Sequence, residues 1–481
     1  MIHLFCQCSD YHDRFDSFLD DWESSQLFSG EILIAQGDRI LAQRSFGMMN
    51  FRNRTPISPN SVYRIGSISK LFTAEIVQQL HTEGRIRFSD SLAQFFTDAE
   101  LPGFENITIR HLLNHTSGMI SHLPDELEVK LERKPHTLQM LADYALNAPL
   151  AFQPGTSFQY SNYGYAVLGR ICELVTDSTM NDLLQARIIQ PFDLNQTQRG
   201  DRPSLCVQGY EYDLLEGYVE SDSIDLSYAS GYGDMVSSCR DLLRFTDALV
   251  NKNYDDFYQT ASPSSVTLHG WFSRTTELPG IDRKNMVLEH SGSINGFGAH
   301  VLHVPADDVT IVVLKNFRSN NYLQPIYASS IANQALEIYY SGESKRVKRS
   351  IALDLGLAIG WGTQNLDSAY AAITSMLGPS LLIAEDELNK LGIELLFKYE
   401  DPYKAAQVFH LNLQNYPRSY NVYDSYAYAL LQLGDTLRAL EAFHEGFDVY
   451  LKFPDQNIKP SMKQNYESAQ ELVGDLEVVT P

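Results

Sequence analysis

Residues 63–86 read YRIGSISKLFTAEIVQQLHTEGRI. From Ser67 onward Ile68, Leu71, Phe72, Ile76 and Leu80 recur at helical spacing, and Gly84 stops the pattern. Ser67 and Lys70 stand at the start of this predicted helix, three residues apart and so on one face, about one turn from each other. A serine hydroxyl is a poor nucleophile until a neighbouring group accepts its proton. A lysine amine can accept it if burial and nearby positive charge lower its pKa. The helix N-terminus adds a partial positive charge and free N–H groups, which suit an oxyanion. An isolated S-x-x-K is just as well a capping serine beside a surface lysine, so the rest of the chain has to decide.

On either side of this helix lie strand signals. Residues 31–35 and 39–45 are short apolar runs around Gly37-Asp38 and predict a β-hairpin. Two further β-branched runs, 299–304 and 309–315, are separated by the turn-like stretch Pro305 to Asp308, and a helical segment covers roughly 325–340. Between about 90 and 280 the chain reads as helices and loops. Strands at both ends with helices between them imply one sheet assembled from distant parts of the chain, with a helical insertion beside it.

Two more short motifs fall within this frame. Tyr160-Ser-Asn162 sits between Pro154-Gly155 and an apolar helix starting near Tyr165. A tyrosine can relay a proton, and an amide can hold both a lysine and a substrate carbonyl. His290-Ser-Gly292 precedes the late strand pair, and Gly292 lets a substrate backbone approach a sheet edge closely. Alone, either motif reads as a structural turn.

Taken in order, S-x-x-K, Y-x-N and H-x-G resemble the three-motif layout of the serine β-lactamase and D,D-peptidase superfamily, whose class A members carry S-x-x-K, S-D-N and K-T-G. The surrounding text is similar to the class C branch over most of 28–340, as in ITIRHLLNHTSGM, FQPGTSFQYSNYGYAVLGRI and EHSGSINGFGAHV. The resemblance implies an α/β sandwich: an antiparallel sheet covered by helices, with a helical subdomain and the active site in the cleft between them. It implies that Ser67 forms an acyl-enzyme, that Lys70 takes its proton and that Tyr160 relays it. Asn162 would position Lys70 and the substrate, and the N–H groups of Ser67 and Ser293 would form the oxyanion hole. His290, Ser291, Gly292 and Ser293 would line the substrate. His290 stands where many β-lactamases carry a lysine. With an ordinary imidazole pKa it would give a preference for carboxylate-bearing substrates that fades as pH rises. His115-Thr-Ser-Gly118 also fits the family pattern and reads as a structural turn. His300 and His303, taken as lying on one strand face, are assigned no role.

The composition changes after the hydrolase-like region. Residues 342–350, GESKRVKRS, are polar and basic and mark a boundary. Ala405 and Ala439, Phe409 and Phe443, and Leu396 and Leu430 each recur at 34 residues, and Pro417 and Pro454 follow two helix pairs. That period resembles the tetratricopeptide repeat, over about 386–419 and 420–456, with 351–380 adding a degenerate pair. An ordinary helical bundle is the alternative. The expected domains are a helical lead-in at 1–27, the hydrolase at 28–342, a linker at 343–350 and an all-α repeat region at 351–481.

The whole-chain numbers limit partners. The 481 residues suggest two or three domains, and 44% hydrophobic with 20% charged residues is a globular composition. A net charge of −23, from 60 acidic and 37 basic residues, argues against nucleic acid or an anionic membrane. The cysteines at 6, 8, 172, 206 and 239 make no disulfide framework, and Cys6-Gln-Cys8 lacks a second pair at zinc-site spacing. The start MIHLFCQCSD has no basic n-region, and no stretch reaches the length of a membrane span, so the expected address is cytoplasmic. The expected partners are a small-molecule or peptide acyl substrate, and a protein or peptide at the repeats, with no metal or cofactor. Three functions compete. The first is an ester or amide hydrolase, whether esterase, D-peptidase or β-lactamase. The second is an acyltransferase or peptide cyclase using the same acyl-enzyme. The third is a non-catalytic binding protein acting through its repeats.

Overall fold

The computed structural model describes residues 2–25, 27–97, 103–122, 131–200, 206–250, 267–268, 270–277, 283–318, 326–343, 347–378, 381–453, 465 and 467, with backbone alone at 2–13, 267–268 and 381–382. Residues 344–346 of the expected linker, Pro454 and nearly all the chain after it lie outside the described residues. The chain forms two compact units. One comprises 1–211, 220–318 and 326–346, the other 212–219, 319–325 and 347–481.

In the first unit, helix α1 (Ile2–Ser25) leads into strands β1 (Gly30–Gln36) and β2 (Arg39–Phe46). Gly37 turns the hairpin in the left-handed region at φ 56°, as its two-residue loop requires. The long helices are α2 (Ser69–Thr82), α3 (Asn162–Thr176) and α4 (Cys239–Val250). Strands β3 (Thr267–Leu268), β4 (Trp271–Glu277), β5 (Lys284–Ile294), β6 (Phe297–Val304) and β7 (Val309–Lys315) follow, then α5 (Ala328–Ser341). The seven strands form one antiparallel sheet in the order β3-β4-β5-β6-β7-β1-β2. The early hairpin thus closes onto the last strand, as the dispersed strand signals imply.

Alternation along the strands sends side chains to two covered faces. Leu33, Ala35, Val301 and Val312 join the core that holds Ile68 and, from α2, Leu71, Phe72 and Ile76. The opposite face carries α5 against β6 and β7, with α1 packed on α5 and β2. Phe72 stacks on Phe245 of α4 with ring centroids 3.9 Å apart, which fixes α2 over the sheet. Burying each such side chain contributes about 1.5–3 kcal/mol. Ten consecutive residues from Ile68 to Val77 are buried, so α2 is an interior helix rather than an amphipathic surface one.

Glu31 is an exception to the apolar rule. It lies on β1 with no exposed surface, accepting a hydrogen bond from Gln43 while its second carboxyl oxygen has no partner. Burial pushes its pKa up to about 8. The folded state therefore holds a proton that the unfolded chain has released above pH 4.5, and stability drains away as pH rises from there to about 8. Glu31→Gln keeps the acceptor and removes the titration. It should stabilise the first unit by roughly 3 kcal/mol at pH 7 and by little near pH 4.5. Thermal melts of both proteins across that range measure it, and a gap that does not widen with pH would refute it.

Six helices of the second unit have their bounds among the described residues, and they form three pairs. They are α6 (Ile351–Gly360) with α7 (Leu366–Leu377), α8 (Glu385–Phe397) with α9 (Pro402–Asn415), and α10 (Tyr420–Gln432) with α11 (Thr436–Lys452). Ala405, Ala439, Phe409 and Phe443 are all buried, so the 34-residue spacing is a spacing of core positions. It extends to the helix starts, where Asp401 and Asp435 accept from the N–H groups of Lys404 and Arg438. Residues 212–219 belong here although the chain around them belongs to the first unit. Asp213 accepts from Tyr399 Oη at 2.8 Å and Lys398 Nζ at 3.1 Å. No helix among the described residues is long and apolar enough to cross a membrane.

Candidate active site

Ser67 lies in a 3-10 turn, Gly66–Ile68, immediately ahead of α2. The sequence pattern placed it inside the helix; the tighter turn still brings Lys70 Nζ to 3.1 Å from Ser67 Oγ. Ser67 is part-exposed in a run whose other members, from Ile65 to Val77, are buried. The turn is fixed by a seam of backbone against backbone. Gly66 has φ 49°, and a Cβ there would stand 2.8 Å from Ser293 N. A Cβ on Gly292 would stand 1.9 Å from Ile65 O and 3.2 Å from Ser67 N. Glycine on both sides of the seam lets the backbone of the Ser67 turn and that of Gly292-Ser293 approach this closely. Ser69 Oγ staples the turn by donating to Gly66 O at 2.6 Å and accepting from Met235 N–H at 3.1 Å.

Lys70 is wholly buried. Its amine reaches Asn162 Oδ1 at 2.8 Å, the carbonyl oxygen of Tyr232 at 3.0 Å and Ser67 Oγ at 3.1 Å. Burial holds its pKa well below the ordinary lysine value, which favours the neutral amine. A neutral amine has two hydrogens and one lone pair. Two of its three neighbours, an amide oxygen and a carbonyl, can only accept. They take both hydrogens, and the lone pair is left for the hydroxyl of Ser67.

Tyr160 and Asn162 flank Ser161, which caps α3 by accepting from Gly164 N–H at 2.9 Å. The cap explains why the three residues arrive together. It ends the incoming loop at Tyr160 and starts the helix at Asn162. Burial raises the pKa of Tyr160, so the ring enters the site as a protonated phenol. His115 holds the Tyr160 loop. Its Nδ1 accepts from Ser161 N–H at 3.1 Å, its carbonyl accepts from Gln159 N–H at 2.9 Å, and its ring lies 4.5 Å from that of Tyr160. Its φ of 56° is unusual for a non-glycine residue and suits a turn that must fold back on the 151–159 segment. The structural-turn reading of 115–118 thereby gains a specific task.

His290 is buried, with Nδ1 donating to the Ser291 carbonyl at 2.8 Å and Nε2 without a partner. Burial pulls its pKa down to about 3. The expectation of an imidazole titrating near neutrality is corrected accordingly, because desolvation dominates here. Its ring centroid lies 5.3 Å from that of Phe272. Ser291 turns the other way, its Oγ 2.8 Å from His300 Nδ1, with Glu289 and Arg274 behind them. His300 pairs opposite Ser291 and His303 opposite Leu288. Three residues apart on a strand, the two histidines lie on opposite faces, which corrects their placement on one.

The residue that sequence reasoning missed is Tyr232. It enters through its backbone carbonyl, a group with no residue signature, and only the flanking Gly231 and Gly233 hint at a shaped loop. That loop is clamped by Thr73 Oγ1 donating to Gly231 O at 2.7 Å, and by Arg199 on Asp234 at 2.6 Å.

Comparison with known proteins places these residues in context. A family model described as Beta-lactamase matches residues 16–334. Penicillin-binding protein 4* of Bacillus subtilis (strain 168) is 30% identical over 320 residues, covering 60% of this chain and 68% of that protein. Protein flp of Staphylococcus aureus (strain MRSA252) is 25% identical over 336 residues, covering 65% of this chain and 64%, just under two thirds, of that one. Among solved structures, the octameric penicillin-binding protein homologue from Pyrococcus abyssi aligns with a TM-score of 0.58 at 24% identity, over 68% of this chain and 77% of that chain. That likeness concerns the fold, an antiparallel sheet with flanking helices.

Proposed function

This chain belongs to the beta-lactamase family, and we propose that it is a serine-dependent hydrolase of neutral esters or amides. The observation that carries the reading is the coordination of Lys70: a neutral amine there gives its two hydrogens to Asn162 Oδ1 and the Tyr232 carbonyl and turns its lone pair to Ser67. Ser67 Oγ attacks the acyl carbon while its proton passes to Lys70 Nζ. The N–H groups of Ser67 and Ser293 receive the oxyanion, and Asn162 holds both lysine and substrate. Lys70 returns the proton through the Tyr160 phenol to the departing alkoxide or amine. Water then attacks the acyl-serine and gives its proton to the same pair, which hands it to Ser67 Oγ as the acyl–oxygen bond breaks, restoring the hydroxyl and the neutral amine. Gly292 and Ser293 form the wall against which the substrate lies, with His290 and Ser291 on either face of the strand.

Intact-mass labelling tests this reading. A fluorophosphonate should add one adduct, on Ser67, and short acyl esters should be turned over. No adduct and no turnover would end it. Product analysis with an added amine separates hydrolysis from acyl transfer or cyclisation. The repeat region, which we divide from the hydrolase as 343–350 and 351–481, would resemble tetratricopeptide units and serve a protein or peptide partner.

Substrate charge follows from His290. A neutral imidazole offers no cation for a carboxylate, so penicillin should be a poor substrate beside neutral esters. With its pKa near 3, wild type should show no change in carboxylate preference from pH 5.5 to 8.5. His290→Lys should raise kcat/KM for the carboxylate member of a matched pair. A wild-type preference that falls as pH rises would show that His290 titrates near neutrality after all.

A further inference from the structure

Lys70 must become an ammonium when it takes the proton of Ser67, yet among the described residues no carboxylate hydrogen-bonds or ion-pairs with it. Charging a buried amine without an opposite charge is costly. Three aromatic faces surround the nitrogen instead. Lys70 Nζ lies 4.7 Å from the ring centroid of Tyr160, 5.2 Å from that of Tyr232 and 5.8 Å from that of Tyr165. All three are within the range at which a ring quadrupole attracts a cation. Each ring is pinned. Tyr165 Oη donates to Leu113 O at 3.1 Å, Tyr232 Oη donates to Tyr228 O at 2.7 Å, and Tyr160 rests on His115.

Building on the hydrolase reading, we propose that Tyr160, Tyr165 and Tyr232 form a cage that stabilises the Lys70 ammonium during acylation. The Ser67 O–H bond breaks, an N–H bond forms on Lys70, and the Oγ electron pair goes to the acyl carbon. The positive charge that results is met by three ring faces and two neutral oxygens. Tyr165 and Tyr232 act on the reaction through Lys70 and are positioning residues in this sense.

The cage makes Lys70 a stronger base than burial alone would leave it. Its loss should lower the Lys70 pKa, moving the acidic limb of the acylation pH profile to lower pH while the plateau rate falls. The groups facing Lys70 are Ser67 in the turn ahead of α2, Tyr160 from the loop before α3, Asn162 and Tyr165 at the start of α3, and Tyr232 from the loop before α4. His115 and His290 lie further out. Burial lowers both of these and raises both Tyr160 and Tyr165, so none titrates near neutrality.

The test is the pH profile of Ser67 acylation, read by intact mass, in Tyr165→Leu, Tyr165→Phe, Tyr232→Leu and Tyr232→Phe. Each Leu variant should shift the limb down by roughly half to one pH unit and slow acylation about tenfold. Each Phe variant keeps a ring face and should lie nearer wild type. Pentafluorophenylalanine at 165 keeps the shape of Phe but reverses the quadrupole, so it should behave like Leu even if Tyr165→Leu melts. Leu and fluorinated variants that share the Phe limb would overturn the cage while leaving the hydrolase reading intact. A wild type that is not acylated at Ser67 overturns both.

Discussion

Ser67→Ala should abolish covalent labelling, and Lys70→Ala should slow acylation of Ser67 by roughly three orders of magnitude or more. The size follows from how the residues share one task. With Lys70 gone, the hydroxyl loses the amine 3.1 Å away that takes its proton, and Asn162 Oδ1 and the Tyr232 carbonyl lose the group they hold. Tyr160 cannot replace it readily, because burial keeps its phenol protonated. Single-turnover labelling rates measured beside thermal melts separate chemistry from folding. Labelling of Ser67→Ala at the wild-type rate, or a Lys70→Ala rate within about tenfold of wild type, would remove the central claim.

Gly292→Ala should be nearly as damaging, without touching a side chain that reacts. The added Cβ would stand 1.9 Å from Ile65 O and 2.9 Å from Ile65 C, and both are backbone atoms that no rotamer can move. Strand β5 or the Ser67 turn must shift, and either shift pulls the Ser293 N–H away from that of Ser67. Losing one oxyanion donor costs about a hundredfold to a thousandfold in rate. The same shift should destabilise the first unit by about 1–3 kcal/mol. Gly84→Ala is the control. It has a positive φ of 72° but nothing within 4 Å, so it carries backbone strain alone and should leave acylation unaffected. Equal labelling by Gly292→Ala and Gly84→Ala would show that the seam does not shape the site.

The amino-acid sequence by itself determined two hairpins of the sheet and helix α2, because these are written in short-range patterns; β4, inside the stretch read as helices and loops, and β5 emerged only in the folded sheet. The hairpin around Gly37, the late strand pair at 299–304 and 309–315 and the stop at Gly84 all depend on residues a few positions apart. The motif residues Ser67, Lys70, Tyr160 and Asn162 were legible for a similar reason. Each is anchored to a local signal, a helix start for the first pair and the Ser161 cap for the second, and the folded chain brings them around one amine. The second unit was legible as a period, since core positions of like helix pairs repeat with the length of the pair.

Tertiary structure alone decided the electrical state of the site and its backbone contributions. Nothing in the text around His290 says that its imidazole is buried, and burial moves its pKa from 6.5 to about 3. Glu31 reads as an ordinary charged residue on a strand until the sheet is covered on both faces. The Tyr232 carbonyl, the glycine seam at Gly66 and Gly292, and the assignment of 212–219 to the second unit have no side-chain signature at all. Each arises where segments far apart in the chain approach within a few ångströms. Desolvation and backbone geometry depend on what arrives from elsewhere in the fold, whereas periodicity and capping depend only on neighbours along the chain.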